Sequence, residues 1–328
     1  NPLERFSEDG LRPVRALRFA AQLGFEIDEE TLKAIPATNH ITKGISIERF
    51  RDEFVKMLKS HKPSVALNLM EKTGILEMFL PELFECRNVI QRDIRGFHSF
   101  DVLDHLIYAL DGVVLASKNK GSLELRLASL FHDIGKPTAK KVEKRPYIKD
   151  GKETMEDFNT FHGHEYPSAK IAKDVLTRLR FPNDTIKYVV HLVENHMFHY
   201  ESTWQESAIR RFIAKHNTQI LPFPEVLEDL FYLRQADAYG KDGDENVFTE
   251  GKWIENLSEF KGRIDKELEN QVAFSLKDLA VSGKDLIEAG FPAGKQMGKV
   301  LNELLEKVLE NPEINKKEVL LDLAREMF

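Results

Sequence analysis

The sequence lacks the features on which secreted and membrane-embedded proteins depend. It has one cysteine, Cys86, in 328 residues, which excludes an internal disulfide framework and is typical of a reducing cytoplasm. No apolar run approaches the roughly 18 residues that a membrane-spanning helix needs. The chain opens on polar residues without a secretory leader pattern, and its first residue is not Met. We therefore expect a cytoplasmic protein with no membrane partner, as a fragment, a processed product or one part of a natural split protein.

An excess of positive charge is also missing. The formal net charge is −7 at pH 7, which argues against a protein that coats nucleic acid by bulk charge, and DNA is not an expected partner. Residues 135–152 are a local exception, with seven Lys and Arg against Glu143 and Asp150. This stretch has few apolar residues, so the sequence predicts an exposed basic loop. It is either a solvated loop or a phosphate or RNA contact beside a site.

Alternating apolar and polar residues, the pattern of β-strands, are scarce, whereas 3.6-residue periodicities recur. One apolar helical stripe runs from Leu123 to Ile134, and another from Phe100 to Val114. The predicted fold class is therefore all-α, and turn-forming residues at 239–248 indicate a domain boundary. The three predicted parts are a helical segment rich in Arg and Phe at 1–61, a histidine-rich helical body at 62–245 and a smaller helical tail at 246–328.

Eight of the 11 histidines cluster in residues 98–199. Within this part, LRLASLFHDIGKP at 125–137 indicates an apolar helix that ends on His132 and Asp133, with Gly135 as the predicted C-terminal cap. The last turn of a helix carries partial negative charge, which favours a bound cation. These two side chains can therefore contribute to one divalent metal site, although such a metal needs more ligands than two.

Further candidate ligands lie before and after this pair. An Asp at position 237, in an otherwise apolar run, is costly in a core unless it is paired or bound to a metal. A buried hydrogen-bonding network without metal remains the alternative, because structural networks also use His and Asp. The other candidates are His105, His162, His164 and His196.

The order of these residues resembles the HD superfamily of metal-dependent phosphohydrolases. The resemblance implies a divalent metal, Mg, Mn or Ni, that acidifies water and neutralises a phosphate oxygen. It also implies a catalytic role for His132 and Asp133, with Lys136 steadying the phosphate. The implied metal ligands are His105, His132, Asp133 and Asp237, and His162, His164 and His196 look like the residues that hold a second metal or bind phosphate in some members.

The amino-terminal segment has an arginine at every third position from 12 to 18. Pro13 is tolerated only near a helix start, so Ser7 or Asp9 is the predicted N-cap. An Asp and an Arg held at such a helix start present an acceptor beside a donor fork, which can read the edge of a base. An amphipathic helix with solvated charges is the alternative.

This segment resembles the neck of bacterial tRNA nucleotidyltransferases and poly(A) polymerases of the class II CCA-adding type. Their E-D-x-x-R motif appears as Glu8-Asp9-x-x-Arg12, and SIERFRDEFVKML at 46–58 is similar to their following neck helix. The resemblance covers nearly the whole chain, including the HD set and a tail stretch at 281–305. It implies nucleotide binding by Glu8, Asp9, Arg12 and Arg15. RNA contacts are expected at Arg18, Arg49, Arg51, Lys140, Lys141 and Lys144.

The motif with which that family transfers nucleotides is missing from the 328 residues. It combines a Gly-Ser turn with two carboxylates as D-x-D, but Gly121-Ser122 is followed by no paired acids, and Asp242-Gly243-Asp244 lies late without a Gly-Ser turn. The resemblance therefore implies the neck, body and tail of such an enzyme, with its catalytic head supplied in cis or in trans. ATP or CTP would be a substrate of the complete enzyme, and tRNA or another RNA 3′ end its partner.

Two main hypotheses follow for the chain itself. In the first, the HD site is a working metal phosphohydrolase, within the larger enzyme or alone. In the second, the chain is an RNA- and nucleotide-binding module whose HD site is structural.

Overall fold

Helices dominate the computed structural model, which describes residues 1–91, 100–149, 152–218, 221–270 and 272–327. The predicted helical class is confirmed, and no described helix is long and apolar enough to cross a membrane. The helices are α1 Pro2–Glu8, α2 Leu11–Leu23, α3 Glu29–Ala37, α4 Asn39–Thr42, α5 Ile47–Leu58, α6 Pro63–Lys72, α7 Ile75–Phe79, α8 Pro81–Phe84, α9 Val102–Ala116, α10 Leu123–Phe131, α11 Lys136–Ala139, α12 Glu165–Arg178, α13 Asn183–Asn195, α14 Glu206–His216, α15 Glu225–Tyr239, α16 Lys252–Glu269, α17 Gly283–Glu288, α18 Lys295–Glu310 and α19 Lys317–Met327, and the strands are β1 Lys141–Lys149 and β2 Lys152–Thr160.

The chain divides into two compact units. One consists of residues 1–198 with 229–249, and the other of residues 199–228 with 250–328. The arginine-rich start of the chain thus shares a unit with the histidine-rich part. Division of the chain at residues 61 and 245 stays a prediction about functional parts.

The first unit is built on a core of helices in contact. Helix α2 packs against α5 and α6, and α10 packs against α9 and α13. In α2, Val14 and Leu17 are three residues apart and fully buried, as one face of an amphipathic helix should be. Phe50 of α5 stacks on Phe79 of α7 with ring centroids 4.1 Å apart. This packing holds the charged residues of α2 and α5 at fixed positions.

The start of α2 differs from the prediction. Its N-cap is Gly10, and neither Ser7 nor Asp9 occupies that position. Asp9 nevertheless accepts a hydrogen bond at Oδ1 from the Leu11 amide, at 3.0 Å. A Cβ on residue 10 would lie 2.7 Å from the carbonyl oxygen of Ile41, so close packing requires glycine there.

Residues 141–160 correct the prediction of a basic loop, because the two strands pair as an antiparallel hairpin. Lys144 lies opposite Asp157, and Arg145 lies opposite Glu156. The acidic second strand therefore offsets much of the charge of the basic first strand. The strands carry little apolar alternation because they are largely polar and solvent-exposed, with even Ile148 71% exposed. Asp150 of the predicted loop, like His98, lies outside the described residues.

The second unit has its own apolar core. Leu286, Leu304 and Leu320 are fully buried and belong to one cluster from α17, α18 and α19. The guanidinium of Arg210 donates to the carbonyl of Leu309, in the last turn of α18, and pairs with buried Glu267 at 3.2 Å. The first of these bonds satisfies a carbonyl group that a helix end otherwise leaves without a partner.

Candidate metal centre

Six of the predicted ligands converge in the first unit, although they come from five helices. They lie within helices or at helix ends, and all six are buried. His105 lies in α9, His132 and Asp133 follow the last residue of α10, His164 precedes α12, His196 follows α13, and Asp237 lies in α15.

A first set of four side chains has its ligand atoms within 4.8 Å of one another. His105 Nε2 lies 3.0 Å from both His132 Nε2 and Asp133 Oδ2. Asp237 Oδ1 lies 3.5 Å from His105 Nε2 and 3.6 Å from His132 Nε2. Two imidazole nitrogens and two carboxylate oxygens therefore face one point, which is a donor set for a divalent transition metal or Mg²⁺.

A second set shares Asp133 with the first. Asp133 Oδ1 lies 2.8 Å from His164 Nε2 and 3.5 Å from His196 Nε2, and the two Nε2 atoms are 3.3 Å apart. The two oxygens of Asp133 thus face different sets, Oδ2 the first and Oδ1 the second. This arrangement can hold two cations with one carboxylate between them.

Three of the histidines are oriented by the same kind of hydrogen bond to a backbone carbonyl. Each Nδ1 lies within 2.8 Å of the carbonyl oxygen three residues earlier, so it carries the proton and donates it to that carbonyl. The carbonyls belong to Ser129 for His132, Phe161 for His164 and Val193 for His196. The tautomer with a lone pair on Nε2 is thereby selected, and Nε2 is the atom that faces the centre.

The second set consequently brings three acceptors together. If His164 and His196 each donate at Nδ1, both Nε2 lone pairs and Asp133 Oδ1 point at one another. Burial lowers the pKa of His196, which favours its neutral ring. Buried acceptors without a donor between them are costly, and a cation removes that cost. The residues therefore fit a metal ion.

Close helix contacts explain how distant residues meet here. A Cβ at Gly112 of α9 would lie 2.9 Å from Ala236 Cα in α15, and one at Gly240 would lie 2.7 Å from the carbonyl oxygen of His105. Only glycine allows this approach of α9 and α15, which brings Asp237 beside His105.

Gly135 has a related role and differs from the prediction. It is not a left-handed C-terminal cap, since its φ is −85° and it immediately precedes α11. A Cβ on it would lie 2.3 Å from the amide nitrogen of Ser168, whose hydroxyl accepts the Gly135 amide at 2.9 Å. Gly135 therefore lets the end of α10 meet the start of α12, which brings Asp133 beside His164.

The charges of the centre are closely coupled. Burial acts to raise the pKa of Asp133, but Lys136 and the neighbouring histidines outweigh it and hold that pKa well below its usual range. Burial lowers the pKa of His105. For His132, burial also acts to lower the pKa, but the Asp133 and Asp237 carboxylates outweigh it and raise it. Burial likewise acts to raise the pKa of Asp237, but neighbouring positive groups outweigh it and hold that pKa well below its usual range, so both carboxylates are ionised and available as ligands.

Side chains around the ligands add contacts that the sequence did not indicate. Lys136 Nζ lies 2.5 Å from both Asp133 Oδ2 and Gln91 Oε1. Arg234 Nη1 lies 3.0 Å from Asp237 Oδ2, which leaves Oδ1 of that carboxylate toward the histidines. Lys136 is indicated by its place after His132-Asp133, and Arg234 is the i,i+3 neighbour of Asp237 on α15, whereas no local pattern points to Gln91.

His162 is not brought to the centre. It is exposed and belongs to neither ligand set among the described residues. His164, two residues later, faces inward because the turn at Gly163 has a positive φ of 76°.

The single cysteine, Cys86, is buried, and burial strongly raises the pKa of its thiol.

The predicted nucleotide-binding residues lie together at the junction of α1 and α2. Arg49 of α5 donates two hydrogen bonds to the Asp9 carboxylate, at 2.9 and 3.1 Å. Arg12 donates to the Arg5 carbonyl at 2.7 Å and forms an ion pair with Glu8. Asp9 and Arg12 are therefore held at adjacent positions, each by partners within the chain.

The predicted RNA contacts fall into two groups. Arg18 forms a buried ion pair with Glu53, and Arg51 donates to the Arg180 carbonyl at 2.7 Å. In contrast, Arg15, which was predicted for the nucleotide site, is exposed and forms no ion pair within the described ranges. Lys140, Lys141 and Lys144 are also exposed, on the start and first strand of the hairpin.

Three family models match consecutive parts of the chain. They are "Probable RNA and SrmB-binding site of polymerase A" at residues 24–86, the HD domain at 98–239, and tRNA nucleotidyltransferase domain 2 at 248–324. The HD match contains all six converging ligands. These matches define a class of protein in which an HD domain lies between an RNA-binding region and a tRNA nucleotidyltransferase domain.

The curated relatives of the chain include two tRNA nucleotidyltransferases. The chain is 30% identical over 304 residues to the A-adding tRNA nucleotidyltransferase of Deinococcus radiodurans, covering 91% of this chain and 64% of that protein. It is 28% identical over 313 residues to the CC-adding tRNA nucleotidyltransferase of Thermus thermophilus, covering 94% and 64%. The chain is thus similar to tRNA nucleotidyltransferases along more than nine tenths of its own length, and it spans slightly less than two thirds of the length of these relatives.

Solved structures agree on the fold. The Bacillus stearothermophilus CCA-adding enzyme in complex with CTP has a TM-score of 0.61 and 19% identity, with 99% of this chain and 63% of that one covered. At this identity the likeness establishes the shared helical architecture.

Proposed function

We propose that this chain is the nucleotide- and tRNA-binding portion of a tRNA nucleotidyltransferase, and that its HD centre hydrolyses phosphate esters of nucleotides or RNA ends. The observation that carries the hydrolytic half is the sharing of Asp133 between two sets of inward-facing acceptors. His105, His132, Asp133 and Asp237 would hold one divalent metal, and Asp133, His164 and His196 a second. Mg, Mn and Ni all suit such mixed His and carboxylate donors.

The bound metal would supply Lewis acidity toward water and a phosphate oxygen. The chain's own residues prepare that chemistry. The carbonyls of Ser129, Phe161 and Val193 fix the histidine tautomers, while Lys136 adds a positive charge beside Asp133 at 2.5 Å. Together with the buried position of His132 and Asp133, this favours binding of an anionic group over bulk water.

Nucleotide and RNA binding would fall to the amino-terminal helices. Asp9 and Arg12 would pair with the edge of a nucleotide base, with Arg49 holding Asp9 from α5. Glu8 and Arg15 complete the proposed nucleotide site, and Arg18 and Arg51 would act through the fold rather than by direct contact. Nucleotidyl transfer itself would require a head domain in cis or in trans.

A second candidate function is an RNA-binding module with a structural HD centre. One observation favours it: Lys136 and Arg234 already pair with the two carboxylates of the first set. In that case the centre would be a buried network that needs no metal.

Elemental analysis and a hydrolysis assay distinguish the two candidate functions. Protein purified without chelator should contain bound divalent metal and hydrolyse a chromogenic phosphodiester or phosphomonoester in the presence of Mn or Ni. Asp133→Asn should abolish both metal binding and turnover, because that side chain serves both ligand sets. Asp174→Asn, an exposed position on α12, is the matched control and should change neither. Metal-free protein without turnover would leave the structural alternative.

A further inference from the structure

Gln91 carries a buried hydrogen-bond donor beside the HD centre. The side chain is 3% exposed, and its Nε2 meets no acceptor among the residues that the structure describes. Leaving a buried amide donor without a partner costs about 1–3 kcal/mol. A ligand that supplies an acceptor would remove this cost.

The orientation of the Gln91 amide follows from its neighbour. Lys136 Nζ lies 2.5 Å from Oε1 of Gln91, and an ammonium group can only donate. The oxygen of the amide must therefore face Lys136, which leaves Nε2 as the amide atom without a partner. The usual ambiguity between the oxygen and nitrogen of a glutamine does not arise here.

The backbone on the N-terminal side of Gln91 is held in place. Ile90 pairs with Asp101 in an antiparallel bridge, and Asp101 is the N-cap of α9, the helix that carries His105. The carbonyl of Ile90 also accepts a hydrogen bond from Asn159 Nδ2 of the hairpin, at 2.8 Å. Gln91 is thus a fixed group, as a recognition residue should be.

Lys136 connects Gln91 to the ligands. Its Nζ contacts Asp133 Oδ2 as well as Gln91, so two of its three N–H donors are used within the described chain and one remains. A buried ammonium donor and a buried amide donor therefore stand side by side, one contact from the carboxylate shared by both ligand sets. Donors of this kind bind oxygen anions, and charge-assisted bonds are the stronger ones.

We propose that Gln91 Nε2 and Lys136 Nζ bind a non-bridging phosphoryl oxygen of the substrate at the HD centre, with Gln91 contacting the phosphoryl group directly. This inference rests on the proposed hydrolytic function. It assigns Gln91 a role in substrate recognition, not merely in holding Lys136.

The test uses the full chain loaded with Mn and inorganic phosphate as the probe. Phosphate affinity is measured by isothermal titration and by the shift in melting temperature, with no turnover required. Gln91→Met removes the donor without adding charge and should weaken phosphate binding at least about tenfold, while the stabilisation by Mn is retained. Gln205→Met, at an exposed position in the second unit, is the control and should leave phosphate binding unchanged.

A double-mutant cycle separates direct contact from an effect through Lys136. In a Lys136→Met background, Gln91→Met should weaken phosphate binding further by severalfold if Gln91 contacts the anion. No further loss in that background would assign Gln91 the structural role alone and overturn the inference. If the wild-type chain binds no Mn, the proposed function and this inference are both rejected. If the Mn-loaded chain does not bind phosphate, the inference alone is rejected.

Discussion

The HD centre and the amino-terminal neck, residues 1–61, use their carboxylates in opposite ways. In the HD centre, buried histidines and carboxylates turn their acceptor atoms toward common points. In the neck, the arginines and acids largely satisfy one another, as Arg49 does with Asp9 and Arg18 with Glu53. Convergent acceptors indicate a bound cation, whereas paired opposite charges indicate a structure that is already balanced.

The comparison separates two kinds of binding site. The HD centre should depend on its ligand for stability, because its buried acceptors have too few donors. The neck should be stable without nucleotide, and a base would have to compete with or use the existing pairs. The following predictions test this contrast.

The largest effect should come from removing the metal. At a metal concentration about 1,000 times Kd, mass action stabilises the fold by about 4 kcal/mol. Chelation should therefore lower the melting temperature clearly, and Mn or Ni should restore it. Asp133→Asn, which changes the one side chain that belongs to both ligand sets, should abolish the response to chelator, while circular dichroism should show its helices intact. A melting temperature that is the same with and without chelator would make the HD centre resemble the neck and remove the contrast.

The second effect concerns the buried pair of Arg18 and Glu53, whose side chains are 10% and 7% exposed. Breaking a buried pair leaves an uncompensated charge, so Glu53→Ala should lower the free energy of unfolding by about 3 kcal/mol. Denaturant titration measures this. Glu29→Ala removes the acid of an exposed pair with Lys33 and should cost less than about 1 kcal/mol. Equal losses at both positions would argue that the neck network is not the source of its stability.

A third and smaller effect distinguishes paired from unpaired arginines in RNA binding. Arg15→Gln should weaken tRNA binding uniformly across sequences and reduce the salt slope by about 1, as expected for one lost phosphate contact. Arg51→Gln should leave the slope unchanged, because Arg51 already bonds to the Arg180 carbonyl and Asp52. Filter binding over a range of salt concentrations gives both values. A slope that changes with Arg51 and not with Arg15 would reverse the assignment.

The smallest effect is a pH dependence away from the HD centre. Asp111 accepts hydrogen bonds from the amide and hydroxyl of Ser64 at 3.0 and 2.6 Å, yet burial raises the pKa of its carboxyl above the ordinary value. The folded state then holds the proton more tightly than the unfolded state, so the ionised carboxylate lowers stability as pH rises through the raised pKa.

Asp111→Asn keeps groups able to make both bonds and cannot ionise. It should raise the free energy of unfolding near pH 7 by about 1 kcal/mol, the usual size of a single-site effect, and the gain should shrink as the pH falls toward 4. Urea titrations at several pH values measure it. A gain that grows at low pH would contradict the sign of the shift.

The sequence by itself determined the helical class of this protein and most of the residues at its candidate metal centre. The 3.6-residue apolar periodicity determined its helical class, because each helix needs one buried face. The order of the histidines and aspartates along the chain indicated the metal ligands. All of them are buried at one centre: His105, His132, Asp133, His164, His196 and Asp237. His162 could not be told apart from His164 by spacing, since the turn at Gly163 decides which one faces inward.

Only the tertiary structure decided the rest. The hairpin at 141–160 is polar on both strands, so its pairing has little apolar signal even though only two residues separate the strands. The roles of Gly135 and Gly240 depend on the backbone of another helix. Gln91 meets Lys136 through a contact between distant segments that no local pattern encodes. Periodicity reports which face of a helix is buried, whereas the partner of a buried polar group is set by packing between segments distant in sequence.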